Sequence, residues 1–250
     1  MSKCGVLVSG GLDSAVLLAE LAAHHSTVYP LFIEAGFPWE GAERRYLKCF
    51  LDVVRAPAIQ PLSILAMPVA DLYRDHWSMT GRNVPDAASP DEAVFLPGRN
   101  VLLLAKAMIW CHLHDVPAVA LGLLASNPFP DATPSFFAAY AAAVNQAVMG
   151  AVQVLRPFAA LKKVDVLRRG RELPLELTFS CLQPVKTSEV SGSAAILAAD
   201  SAGKMPALPR TSEVWIHCGR CNKCGERRRA FREAGIPDPT RYASETRCIA

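Results

Sequence analysis

Ser9-Gly10-Gly11-Leu12-Asp13-Ser14 sets hydroxyls, glycines and a carboxylate between two apolar runs, Cys4–Val8 and Ala15–Ala23. The first run has strand length and the second helix length. A glycine pair lets the backbone turn tightly, so that N–H groups point inward. A helix starting there adds the partial positive charge of its N-terminus, and the whole forms a cradle for phosphate. The common Gly-x-x-x-x-Gly-Lys-Ser/Thr pattern occurs nowhere in the chain; Asp13 and Ser14 stand where that pattern has Lys-Ser. A tight turn capped by Asp13 or Ser14 is the plainer alternative.

A second reactive group lies near the other end. Cys218, Cys221 and Cys224 follow one another at a spacing of three. That spacing forms the tight turn at one half of a tetrahedral zinc site. The expected fourth ligand is Cys181, after Thr178-Phe179-Ser180. His217 competes for this place, but it abuts Cys218 and would strain the chelate. The same thiols also suit an iron–sulfur cluster. Zinc held by four thiolates has no open position and would be structural. Cys4, Cys49 and Cys111 sit in apolar contexts and read as small buried side chains, and Cys248 as incidental.

These groups need a scaffold, and the apolar pattern supplies one. Cys4–Val8, Thr27–Ile33, Ala58–Leu62, Ala118–Leu123 and Val152–Leu155 read as strands. Leu12–His24, Gly41–Val54, Asn100–His114, Ser135–Met149 and Lys163–Arg169 read as helices. Such alternation predicts an α/β fold, a parallel sheet covered on both faces, with ligands at the carboxyl ends of its strands. The proline-containing stretch Leu65–Pro97 reads as a long excursion over that edge. Residues 1–180 form the α/β domain in this reading, and residues 181–250 a small C-terminal zinc-binding helical region.

Thr-Ser-Glu-Val occurs at Thr187–Val190 and again at Thr211–Val214, around an Ala/Ser/Pro-rich stretch. The repeat reads as an in-frame insertion over 187–214, expected to be flexible and without a catalytic part. Excising one repeat unit would leave twelve residues between Cys181 and Cys218. After the thiols, Glu226–Gly235 reads as a helix ending at Gly235. Its arginines suit RNA or phosphate, or else a solvated face laced by Glu226 and Glu233.

The chain has 250 residues, 51% of them hydrophobic, enough to bury a full core. A net charge of +3 permits an anionic small substrate without demanding nucleic acid. The longest apolar stretch, Val101–Trp110, contains Lys106, which argues against a membrane span. The N-terminus enters a strand at Lys3 without a secretory pattern. Eight cysteines then predict a reducing, cytoplasmic setting.

Taken together, these residues resemble the 7-cyano-7-deazaguanine synthase family, a branch of the PP-loop ATP pyrophosphatases with a Rossmann-like (HUP) sheet. Ser9–Ser14 is similar to the PP-loop. Leu96-Pro97-Gly98-Arg99-Asn100 is similar to the family's Val-Pro-Gly-Arg-Asn, and Pro130–Phe136 to its Tyr-Pro-Asp-Cys-Arg-Pro-Glu-Phe. Leu121-Gly122, Leu161–Asp165, Leu177–Cys181, Cys218–Cys224 with Glu226-Arg227, and Phe231 to Tyr242 extend the resemblance. Two blocks depart from it. Glu34–Glu40 replaces an aromatic–Gly-Gln-Arg/His block, and Thr133 and Ser135 replace Arg and Glu. The ATP half therefore carries over more completely than the acceptor half.

The resemblance implies adenylation of a carboxylate by ATP with loss of pyrophosphate, then displacement of AMP by ammonia. The family's acid is 7-carboxy-7-deazaguanine, and a second activation dehydrates the amide to a nitrile. Val8, Ser9, Gly10, Gly11, Leu12, Asp13, Ser14, Ala15, Val16, Leu17 and Leu18 would form the nucleotide site. Mg²⁺ would offset the triphosphate charge, with Asp13 assisting. Arg99 and Lys163, with Lys162 behind them, would stabilise phosphate charge. Asp131 would hydrogen-bond the guanine-like face of the substrate. A homodimer and a small-molecule acceptor, without a stable nucleic-acid partner or membrane, complete the expectation. Two alternatives stay open: a divergent PP-loop enzyme acting on another acid or on tRNA, and a non-catalytic zinc-stabilised nucleotide-binding protein.

Overall fold

The computed structural model describes residues 2–189 and 214–245. Most of the 187–214 stretch and Cys248 lie outside the described residues. Five parallel strands form the central sheet: β1 (Lys3–Leu7), β2 (Thr27–Glu34), β3 (Ser63–Ala66), β4 (Ala118–Ala120) and β5 (Gln153–Leu155). Their order is β3-β2-β1-β4-β5. The chain moves outward from β1 in one direction, then returns to its other side with β4. The topological switch point therefore lies between β1 and β4, where open parallel sheets bind ligands.

The helices divide between the two faces as the strand pleat requires. Cys4, Val6, Val28, Phe32, Ala118 and Ala120 join one cluster with α1 (Leu12–His24), α7 (Lys163–Arg169) and α8 (Asn222–Ala234). Leu31 and Val119 point the other way, under α5 (Arg99–Leu113) and α6 (Pro134–Val148). Alternate strand residues thus serve opposite cores. A further helix, α2 (Glu40–Val54), packs Leu47 into the first cluster. The parallel sheet with helices on both faces agrees with the α/β, Rossmann-like expectation.

The third strand begins later than its apolar pattern suggests. Ala58–Leu62 makes only a bridge, Ile59 beside Val28, and regular pairing starts at Ser63. Pro61 explains the break, because it has no N–H to give a ladder. Likewise β4 stops at Ala120 instead of Leu123. Gly122 leaves the sheet there to pass close to Asp13: a Cβ on Gly122 would lie 3.3 Å from the Asp13 backbone carbonyl.

The 65–97 excursion covers the carboxyl edge with short turns, α3 (Ala70–Tyr73) and α4 (Trp77–Thr80). Val69 and Leu96 pack there with Ala35, Phe37 and Trp39. Beyond the sheet, β6 (Val185–Lys186) and β7 (Trp215–Ile216) pair antiparallel beside the cysteine region.

Candidate active site

The Ser9–Ser14 turn is held by its own polar groups. Gly10 has φ +80°, and a Cβ on it would lie 2.7 Å from the Glu43 carbonyl oxygen. Only glycine suits both demands. Ser9 N–H donates to Ser14 Oγ at 3.3 Å, Ser14 Oγ–H to Gly11 O at 3.0 Å, and Gly11 N–H to Ser9 Oγ at 3.3 Å. No side chain caps α1 at Gly11. The simple side-chain-capped turn is therefore not what forms, and the first-turn amides of α1 have no side-chain acceptor at the cap, an arrangement that favours an anion.

A cavity of about 270 Å³ opens at this turn. Val8, Ser9, Gly11, Asp13 and Ser14 form one wall, and Arg99, Asn100 and Asp131 another. Gly10 turns the loop from beneath. Leu12, Val16, Leu17 and Leu18 belong to the core, and Ala15 packs with Phe50 and Leu177. Those five support the loop from behind; their side chains do not line the cavity.

Arg99 enters from the start of α5, after Gly98 at φ +74°. Its guanidinium lies 5.8 Å from the centre of the Phe37 ring, and its Nε is buried without a hydrogen-bond partner among the described residues. Asp131 is buried and partly committed. Its Oδ2 accepts the Asn100 N–H at 3.0 Å, while Asn100 Nδ2 donates to the Asp131 carbonyl at 3.0 Å. This carboxylate thus anchors the start of α5, a positioning duty that sequence reading did not foresee.

Lys163, at the start of α7, meets Asp13 Oδ2 directly and lies 3.2 Å from Glu226 Oε1. Burial alone would lower its pKa, but the Asp13 and Glu226 carboxylates outweigh it and lift the ammonium above the usual lysine range. Glu226 also accepts from Lys223 Nζ at 2.6 Å. Burial would raise Glu226, yet the two lysines hold it down at about 2. Asp13 Oδ1 is buried and has no partner among the described residues. Lys162 is exposed at the N-cap of α7.

Two acidic residues of the cavity escaped the sequence reading. Glu40 is 7% exposed and accepts N–H groups from Ala35 at 2.9 Å and Gly36 at 2.7 Å. Glu43 is 8% exposed, one turn further along α2. Burial raises the pKa of both, more strongly for Glu43, and Arg99 opposes the rise. Glu40 ends the block Glu34–Glu40, which departs from the family pattern and was the available signal; Glu43 lies beyond that block. Thr133 and Ser135, at the other departure, lie at the start of α6. Thr133 Oγ1 accepts the Phe136 N–H at 3.2 Å and lies 3.3 Å from Ser135 Oγ.

The four cysteines converge as expected. Cys181, Cys218, Cys221 and Cys224 are buried, and their sulfurs all lie within 4.8 Å of one another. Backbone N–H groups of Cys218, Arg220, Cys221 and Gln183 donate to sulfurs at 3.2 to 3.4 Å. His217 is outside this group. Its Nε2 accepts the Ser180 N–H at 3.3 Å, and its ring packs on Phe179.

The arginine run is not uniformly solvated: Arg227 is buried, Arg228 half-buried and Arg229 exposed. Arg227 is 2% exposed and donates to Thr178 Oγ1 at 2.8 Å and the Leu175 carbonyl at 2.9 Å. Arg228 donates to the Gly219 carbonyl and lies over the Tyr242 ring. Arg229 reaches the Ala87 carbonyl. These contacts tie α8 to the loops around it.

A family model described as queuosine biosynthesis protein QueC matches residues 3–235. A 7-cyano-7-deazaguanine synthase of Methanopyrus kandleri is 31% identical over 97% of this chain and 99% of its own. One of Solidesulfovibrio magneticus is 29% identical over 96% and 95%. Among solved structures, a 4-thiouridine synthetase in an RNA complex with bound ATP covers 83% of this chain and 51% of its own, with 16% identity and a TM-score of 0.44, too low to carry an argument.

Proposed function

The chain belongs to the QueC family of queuosine biosynthesis proteins, and from that premise we propose that it is an ATP-dependent 7-cyano-7-deazaguanine synthase. One observation carries the reading beyond family membership. The Ser9–Ser14 turn, Arg99 and Asp131, far apart in sequence, converge on one cavity of about 270 Å³. A concave site with a few convergent polar groups suits a small molecule, and it supports a small-molecule acceptor over a nucleic acid.

In the proposed reaction the acid's carboxylate oxygen attacks the α-phosphorus of ATP, and pyrophosphate leaves. Ser9, Ser14 and the first-turn amides of α1 bind the departing phosphates, and Arg99 balances charge at the α-phosphate. Ammonia then attacks the acyl carbon; AMP departs and a proton is lost, giving the amide. The amide oxygen then attacks the α-phosphorus of a second ATP, with loss of pyrophosphate and one amide proton, and departure of AMP with the remaining nitrogen proton leaves the nitrile. Asp131 would present its remaining carboxylate capacity to the acceptor while it holds α5. Lys163 keeps Asp13 in position at the base of the turn.

Two ions fit the residues present. Asp13 Oδ1, buried and without a partner, is a hard oxygen available to Mg²⁺, which would neutralise triphosphate charge. The closed set of four sulfurs suits structural zinc, where a tetrahedron with bonds of about 2.3 Å needs S···S separations of about 3.8 Å. Cys218 and Cys224 stand at 3.9 Å, as do Cys181 and Cys221. The homodimer and the cytoplasmic setting belong to this proposal too; among the described residues no helix is long and apolar enough to cross a membrane.

The test is pyrophosphate release from MgATP with 7-carboxy-7-deazaguanine and ammonium, followed by mass spectrometry. The proposal expects acid-dependent pyrophosphate and AMP together with the nitrile. ATP binding without acid-dependent turnover would overturn the assigned acceptor.

A further inference from the structure

The Lys163 ammonium bridges two carboxylates on different elements, Asp13 Oδ2 at the first turn of α1 and Glu226 Oε1 on α8. The other Glu226 oxygen is taken by Lys223. Charges alternate along Asp13, Lys163, Glu226 and Lys223, so each inner ion is neutralised on both sides. Glu226 lies two residues beyond Cys224, on the helix whose N-cap is Cys221. The element that brings sulfurs to the cysteine centre therefore also brings the carboxylate that fixes Lys163. A second tie runs in parallel, for the Phe179 N–H donates to the Gly10 carbonyl at 2.7 Å, two residues before Cys181.

From this geometry we propose that Glu226 is a positioning residue for the nucleotide site. It holds Lys163 so that the ammonium restrains Asp13 without collapsing onto it. An ammonium has three donors; two are spent on Asp13 and Glu226, and the third is left for phosphate. Without Glu226, Lys163 has one carboxylate partner and Asp13 bears the whole charge. The cysteine centre and the nucleotide loop are then one mechanical unit. This inference rests on the reading of Ser9–Ser14 as the MgATP site.

The test is MgATP affinity by titration calorimetry, with metal content per chain measured on the same full-length samples. Glu226→Gln keeps the side-chain shape and removes its charge; its affinity is expected to fall about tenfold with metal content unchanged. Lys163→Met is expected to weaken binding as well. The double variant should bind no more than about twofold worse than Lys163→Met alone, because Glu226 acts through Lys163. Losses that multiply in the double variant overturn the proposal, as does wild-type affinity in Glu226→Gln. Glu226→Asp, which keeps charge but loses reach, should fall between the two. If both Glu226 variants lose metal, Glu226 serves the cysteine centre and the proposal fails. Wild-type protein that binds no MgATP is a different result: it overturns the nucleotide-loop reading itself.

Discussion

Gly10 shows how little freedom single residues have at this site. A Cβ there meets the Glu43 carbonyl oxygen at 2.7 Å, on backbone that side chains rarely adopt. Gly10→Ala must displace either the turn or α2, at a cost of about 1–3 kcal/mol. Nucleotide affinity should fall by more than overall stability, which parallel calorimetry and thermal melting will show. Glu43 carries a different signature. Burial raises its carboxyl, so the native protein keeps that proton at pH values where the unfolded chain, titrating near 4.5, has lost it. The native state then binds more protons, and stability falls as pH rises above about 4.5 toward the raised native value. Glu43→Gln removes this slope. Its melting temperature should exceed that of the wild type at pH 8, and the two should converge below pH 4. Equal pH dependence in both proteins contradicts the assignment.

At the scale of elements, α8 is the piece whose role changed most between sequence and structure. Its extent was legible: Gly235 ends it in the left-handed conformation, as glycine after a helix should. The direction of its arginines was not. A run of three arginines gives no period, and only tertiary packing turns Arg227 inward onto Thr178 and Leu175. Arg227→Met leaves those acceptors buried without their charged donor, and should lower stability by about 3 kcal/mol in denaturant unfolding. Removing the zinc proposed for the four cysteines attacks the same region. Cys181 and α8 lose their common anchor, and Phe179 its fixed approach to Gly10. Chelation should lower Tm by roughly 5–10 °C and weaken MgATP binding in the same samples. The paired helices and four of the strands were readable because their apolar periods are long and uninterrupted. The start of β3 was not, because Pro61 interrupts pairing inside an otherwise strand-like run. The cavity acids Glu40 and Glu43 were missed for a related reason. At the first turn of a surface-patterned helix an acidic residue looks like an ordinary dipole partner, and only the fold buries it.

The whole molecule joins a nucleotide turn at the switch point of a parallel sheet to a four-cysteine centre across α7 and α8. The cysteine pattern and the glycine turn were each visible in sequence. That Lys163 and Glu226 connect them was not, since residues sixty-three positions apart give no joint signal in one chain. In the proposed reaction the cavity activates a carboxylate by joining it to the α-phosphate of ATP. Oxygen isotope transfer tests this most directly. The acid, labelled with ¹⁸O at both carboxylate oxygens, is converted with MgATP and ammonium, and the AMP is weighed by mass spectrometry. One ¹⁸O is expected in each AMP, from the carboxylate in the first activation and from the amide in the second. Unlabelled AMP formed alongside product would mean that the acid's oxygen never reached phosphorus, and would overturn the adenylation mechanism.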